Sequence, residues 1–98
     1  MQIVALRTLR QFWEIHPQAE MPLRSWYASA SQAVWTVPQD IKNEYGATVD
    51  FVGDNRVIFD IAGNKYRLII RVSYTYKRCL VKFIGTHKEY DKVNAETI

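Results

Sequence analysis

The apolar residues of this chain change their period once, near Gly46, and that change limits the folds open to it. Before it, Leu6, Leu9, Phe12, Trp13 and His16 recur at helical steps until Pro17 stops the run. A second helix is predicted from about Pro22, with Leu23, Trp26, Tyr27, Ala30 and Val34 along one stripe and Pro38 at its end. A short helical turn from Pro38 to Tyr45 follows, closed by Gly46, and a short strand over Gln2 to Ala5 precedes the first helix. After Gly46 the pattern alternates. Val49 to Val52 and Arg56 to Ile61 read as a hairpin around Gly53-Asp54-Asn55. Ala62-Gly63-Asn64 then turns into the longest strand, Lys65 to Tyr74, and Cys79 to Ile84 is the last. Helices followed by hairpin-linked strands predict an α+β fold, with N-terminal helices packed on a mainly antiparallel sheet. A chain of 98 residues, 48% of them hydrophobic, supports one core and so one domain over residues 1–98.

Charge is distributed as unevenly as hydropathy. The formal net charge is +3, yet residues 1–64 hold five basic and seven acidic side chains. From Lys65 to Lys92 there are eight Lys or Arg against Glu89 and Asp91 alone. Along the long strand Tyr66, Leu68, Ile70, Val72 and Tyr74 share one face, joined by Val57, Phe59 and Ile61 of the preceding strand. Lys65, Arg67, Ile69 and Arg71 share the other, with Lys82 as a neighbour from the next strand. A solvated sheet face is the plain alternative. Four cations beside the tail Thr86-His87-Lys88-Glu89-Tyr90-Asp91 favour a surface for a phosphate-bearing partner.

Several classes of function fall away. The histidines are His16 and His87, and no Cys/His cluster has zinc spacing. Gly63-Asn64-Lys65 is a turn and not a nucleotide-cradling loop, and no serine sits in a nucleophile elbow. The lone Cys79, inside an apolar run, reads as a small buried hydrophobe and fits a reducing compartment. No apolar stretch reaches the roughly 20 residues that span a bilayer, and no secretory signal opens the chain, so a cytoplasmic protein without a membrane partner is expected. The residues suit cleavage of RNA without a metal or other cofactor, because RNA carries its own nucleophile in the 2′-hydroxyl. Such cleavage needs the hydroxyl aligned and deprotonated, the phosphate neutralised and the leaving oxygen protonated. The imidazole of His87 is the kind of group that passes protons, Arg67 suits a phosphate, and Lys65, Lys82 or Lys88 adds charge. Tyr90 could stack on a base or take part in proton transfer. Plain structural roles stand beside these: Arg67 pairing with Asp60 across the hairpin, His87 capping a strand end, Tyr90 packing in the core. His16 belongs to the helical stripe and reads as structural, and Trp13, Trp26 and Trp35 read as helix packing.

The segment Phe59-Asp60-Ile61-Ala62-Gly63-Asn64-Lys65-Tyr66-Arg67-Leu68-Ile69, followed by Val81 to Asp91 with its Gly85-Thr86-His87-Lys88-Glu89-Tyr90-Asp91 end, resembles the HigB toxins, a branch of the RelE-like toxins of bacterial type II toxin–antitoxin modules. The likeness is strong over residues 56–91 and architectural over residues 1–48. It implies the RelE-like toxin fold and a ribosome-dependent endoribonuclease, an mRNA interferase that cuts mRNA in the ribosomal A site by 2′-hydroxyl attack without a metal. It also implies silencing by a HigA-type helix-turn-helix antitoxin, with two toxins and two antitoxins in the complex. By this resemblance Arg67 would stabilise the phosphate, and His87, Lys88 and Tyr90 would form the catalytic tail. Lys65 is the weaker transfer, because an acidic residue can stand between the Asn and the Arg in relatives; with Arg71 and Lys82, placed by the face reading, it is expected to hold RNA phosphates. The resemblance leaves open which of His87, Lys88 and Tyr90 is acid or base. The near-neutral helical half would bind the antitoxin away from the basic cleft. A non-catalytic basic module that holds RNA by phosphate contacts and stacking is the alternative function.

Overall fold

The computed structural model describes residues 1–98. Its elements are β1 (Gln2–Val4), α1 (Leu6–Ile15), a 3-10 turn (Pro17–Ala19), α2 (Glu20–Gln32), α3 (Pro38–Tyr45), a second 3-10 turn (Gly46–Thr48), β2 (Val49–Val52), β3 (Arg56–Ile61), β4 (Tyr66–Ser73), β5 (Arg78–Thr86) and α4 (His87–Tyr90). The α+β layering follows the change of period. One five-stranded sheet has the order β1-β5-β4-β3-β2, with every neighbour antiparallel except β1, which runs parallel to β5.

Several boundaries move from the sequence reading. α2 begins at Glu20, because Pro22 in its first turn lacks an N–H that would have had no partner there. It ends at Gln32, so Val34 falls outside the helix and is 71% exposed, not part of the stripe. β5 runs on to Thr86, bringing Gly85 and Thr86 into the sheet. The β2–β3 hairpin turns on Asp54 and Asn55, both left-handed (φ 60° and 59°), residue types whose short polar side chains tolerate that region.

The helices cover one face of the sheet. Leu9, Phe12 and Trp13 of α1, Leu23, Trp26 and Ala30 of α2, and Ile41 of α3 meet the inward side chains of the strands. All three tryptophans are buried, Trp13 and Trp26 on helices and Trp35 in the segment between α2 and α3, and Trp26 and Tyr45 both set their rings edge-on to Phe59. Cys79 is fully buried, and burial pushes its thiol up to about 12, so it stays protonated and acts as a small hydrophobe.

The opposite face is not the open basic surface that alternation predicts. Ile69 is 0% exposed on it, and Ile58 and Arg56 are buried too. Ile69 lies between Ile58 of β3 and Phe83 of β5. Arg56 donates from Nε and Nη2 to the main-chain oxygen of Ile98 at 2.9 and 2.7 Å, so the segment after α4 returns to this face. A central strand flanked by long neighbours can bury both of its faces, and β4 does so at its middle.

A one-residue bulge sets the parity of β5. Ile69 pairs with Phe83 but Ile70 with Val81, leaving Lys82 as the extra residue. Before the bulge Cys79 and Val81 join the core; beyond it Ile84 packs against that core, while Phe83 and Gly85 lie opposite Ile69 and Arg67. Because Ile69 is buried, Ile69→Ala should cost about 2–4 kcal/mol in urea unfolding, whereas a side chain on an open sheet face would cost about 0.5 kcal/mol or less.

Candidate active site

The far end of the β4–β5 ladder brings the two motif segments together. Tyr66 pairs with Thr86 and Arg67 with Gly85, and the His87 N–H donates to the Lys65 carbonyl at 3.1 Å as one further rung. The chain then turns into α4. Thr86 Oγ1 accepts from the Glu89 N–H at 3.2 Å, and Glu89 Oε1 accepts from the Thr86 N–H at 2.8 Å, a reciprocal cap that holds the tail against the strand. The Thr86-x-x-Glu89 spacing is a legible capping signal that a reading of the tail as pure chemistry passes over. The Glu89 carboxyl is held below its ordinary value, first by the Thr86 N–H. Desolvation opposes this, while the Thr86 hydroxyl and the charges of His16 and Lys92 assist it. Gly85 makes the closure possible: a Cβ there would sit 2.5 Å from Phe83 Cζ and 3.2 Å from Glu89 Cβ.

Arg67 lies at the centre of this end. Its side chain is only 13% exposed, with Asp60 Oδ1 3.1 Å from Nη1 and the Tyr90 ring centroid 5.7 Å from Cζ. The cross-hairpin pair with Asp60 that sequence offers as a plain structural role is therefore present. It does not satisfy the guanidinium: Nη1 is buried and has no hydrogen-bond partner, the carboxylate lying out of line with its N–H groups. His87 is half exposed, and its Nδ1 is 3.5 Å from Asp91 Oδ2, one helical turn on. Lys88 is exposed and Tyr90 half-buried. Lys65 is exposed and donates from Nζ to Gln18 Oε1 at 3.3 Å, tying β4 to the 3-10 turn after α1. His16, at the head of that turn, stacks on Phe12 with ring centroids 4.4 Å apart and lies 6.1 Å from the Tyr66 ring.

Lys65, Arg67, His87 and Tyr90 thus gather at one end, with Lys88 on the same short helix. Arg71 and Lys82 do not join them. Arg71 stands four residues along β4 and pairs with Asp54 of the β2–β3 turn at 2.9 Å, and Lys82 occupies the bulge. Asp60, Glu89, Gly85 and Gln18 are the supporting residues that motif reading alone does not pick out as parts of the site. No three His, Cys, Asp or Glu side chains cluster as a metal site would require. What the end offers is a cation, an imidazole and a phenol around a partly open strand terminus, a set able to bind a phosphodiester and move protons beside it.

The family model for the HigB toxin, the RelE-like toxic component of a toxin–antitoxin system, matches residues 19–93. The chain is similar to an "mRNA interferase HigB" of Escherichia coli O6:H1 (strain CFT073), 26% identical over 94 residues that cover 95% of this chain and 91% of that protein. It is also 24% identical over 92 residues to the "mRNA interferase toxin HigB" of Escherichia coli K12 and to an "mRNA interferase HigB" of Shigella flexneri, covering 93% of this chain and 88% of each. The fold is that of a RelE-like toxin, and the chain belongs to the HigB toxin family. Membership of a toxin–antitoxin system brings an antitoxin as partner. No helix is long and apolar enough to cross a membrane.

The cap on α4 is testable by itself. Thr86→Ala should free the Glu89 amide and weaken the tail by about 1 kcal/mol, seen as faster amide exchange in α4 with the thermal midpoint of the core nearly unchanged. Glu89 has a lowered folded pKa, so its contribution is complete above the unfolded value of 4.5 and is lost as pH falls through the folded one. α4 in the unaltered protein should therefore loosen on acidification below that value, and Thr86→Ala should blunt the response.

Proposed function

We propose that this toxin is an endoribonuclease that cleaves mRNA on the translating ribosome, in the A site, by attack of the 2′-hydroxyl on the adjacent phosphate without a metal. The observation that carries the reading is the Arg67 guanidinium, nearly buried yet with an unsatisfied donor, beside His87 and beneath Tyr90. A phosphate can accept from the guanidinium nitrogens that are not enclosed, Nε and Nη2, and a preorganised cation of this kind stabilises the charge that grows on phosphorus as the pentacoordinate state forms. Asp60 and the Tyr90 ring hold the guanidinium in place in the meantime.

His87 serves in proton transfer, with Asp91 close to Nδ1 and Nε2 left for the substrate. Tyr90 flanks the phosphate or stacks on a neighbouring base, and Lys88 and Lys65 add positive charge at the rim. Arg71 and Lys82, farther along the sheet, track more distant phosphates of the RNA or ribosome. The antitoxin is of the HigA type and contacts the helical half, where α1 and α2 border a cleft of about 400 Å³ lined by Leu6, Arg10, Trp13, Arg24, Tyr27 and their neighbours. A dimeric antitoxin joins two toxins in one complex, and light scattering should return the mass of two toxins with two antitoxins.

The test is to map mRNA 5′ ends after brief induction of the wild type, Arg67→Ala and His87→Ala. The wild type should cut translated messages at codon-phased positions, and each variant, folded and still bound by the antitoxin, should lose roughly 100-fold or more of the cleavage. Full cleavage by both folded variants overturns the site. No cleavage by the wild type, with salt-sensitive RNA binding retained, would instead make the protein a non-catalytic RNA-binding module.

A further inference from the structure

We propose that His16 is a second substrate-contacting imidazole of this site, working with His87 in the two proton transfers of RNA cleavage. The inference rests on the endoribonuclease reading and adds a residue from the opposite end of the chain. Sequence accounts for His16 as the last member of the α1 stripe, and its stacking on Phe12 fits that role. Three observations do not. His16 is only half-buried, whereas Leu9, Phe12 and Trp13 of the same stripe are buried. Its ring makes no hydrogen bond within the protein, and its nitrogens are not among the buried unpartnered atoms, so they reach solvent. Its neighbours lie at the same end of the sheet as the site: Tyr66 beside it, Gln18 two residues on bound to Lys65, and Glu89 of the tail near enough to respond to its charge.

The backbone at His16 fixes this placement. α1 ends there, with the His16 N–H closing on Phe12 O, and φ −118°, ψ 81° turns the chain out of the helix into Pro17. The ring is therefore held by the helix end on one side and by the Phe12 and Tyr66 rings on the other, with its nitrogens unspent. Such a group loses little freedom when it meets a substrate. Lys65 links the two histidines structurally, its carbonyl accepting from His87 and its ammonium bonding Gln18. RNA lying across this strand end would meet His16 from the side of the helices and His87 from the side of the tail.

The chemistry balances with two imidazoles. The neutral one takes the proton of the 2′-hydroxyl as the O2′–P bond forms. The protonated one gives its proton to O5′ as the P–O5′ bond breaks. The products are a 2′,3′-cyclic phosphate and a 5′-hydroxyl, and exchange with water resets both rings. No oxidant, reductant or further reactant enters.

His16→Phe separates chemistry from packing, because a benzyl ring keeps the stack on Phe12 and Tyr66 and removes only the nitrogens. Cleavage of mRNA on programmed ribosomes would be measured for wild type, His16→Phe and His87→Ala, with thermal midpoint and antitoxin binding as controls on the fold. Expected for His16→Phe is a wild-type midpoint, antitoxin binding and KM, with kcat lower by roughly 100- to 10,000-fold. Cleavage within about threefold of wild type (less than half of the tenfold step that 1.4 kcal/mol represents) would overturn the proposal and return His16 to packing. A loss confined to KM would also overturn it, since binding and not proton transfer would then be what the ring supplies. Should the phenylalanine variant fail to fold, His16→Gln applies the same criterion with a polar side chain that cannot shuttle a proton. A wild type without cleavage would sink the nuclease reading and this proposal together, whereas a cleaving wild type matched by a cleaving His16→Phe would sink this proposal alone.

Discussion

The pairing of β4 with β5 is the interaction on which the rest of the molecule depends. It joins the Gly63-Asn64-Lys65-Tyr66-Arg67 segment to the Gly85–Asp91 tail, two stretches with residues 68–84 between them in sequence. Its register decides what Arg67 faces. The extra residue at Lys82 shifts β5 by one, so that a glycine lies opposite Arg67 and the chain leaves the sheet beside Lys65. A register without that bulge would exchange the two faces of β5 beyond it, carrying Phe83 and Gly85 together to the helix-covered side. Fold and site are in this sense one constraint.

The site in turn departs from the rules that stabilise the core. Elsewhere the chain buries aliphatic and aromatic groups, and the cysteine it encloses is inert. At the end of β4 it encloses a guanidinium with an unsatisfied donor, balanced by a carboxylate at an unfavourable angle and by the face of a tyrosine. Burying a charge with imperfect partners costs stability, and a fold tolerates it where the missing partner is a ligand. The four-residue α4 could not persist alone, since a helix this short has too few internal bonds to offset nucleation. The Thr86–Glu89 cap, the rung to Lys65 and the bare Cα of Gly85 supply what its length does not.

Much of this was legible in the residues. The change of period gave the layers, and the spacing of Arg67, His87 and Tyr90 along two strands and a tail drew them to one place. Alternation misled where it assumed a single buried face: Ile69 and Ile58 are enclosed on the second one, because the chain after α4 returns to Arg56. It also grouped Arg71 with Arg67. Sharing a face is not sharing a site, and four residues of extended chain are roughly 13 Å at about 3.3 Å per residue. The bulge left no local signature, since one inserted residue only blurs an alternation. His16 was hidden for a different reason. Its position was fully explained by the helical stripe, and only the structure shows a ring with nitrogens that the packing leaves unused.

If this strand end activates RNA's own hydroxyl, the chemistry of the cut ends records it. Ribosome-bound mRNA cleaved by the purified toxin should carry a 2′,3′-cyclic phosphate or 3′-phosphate upstream of the cut and a 5′-hydroxyl downstream, and a single 2′-deoxy substitution at the cut nucleotide should abolish cleavage there. A 3′-hydroxyl with a 5′-phosphate, formed as readily at a 2′-deoxy position, would mean that water is the nucleophile and would contradict the account.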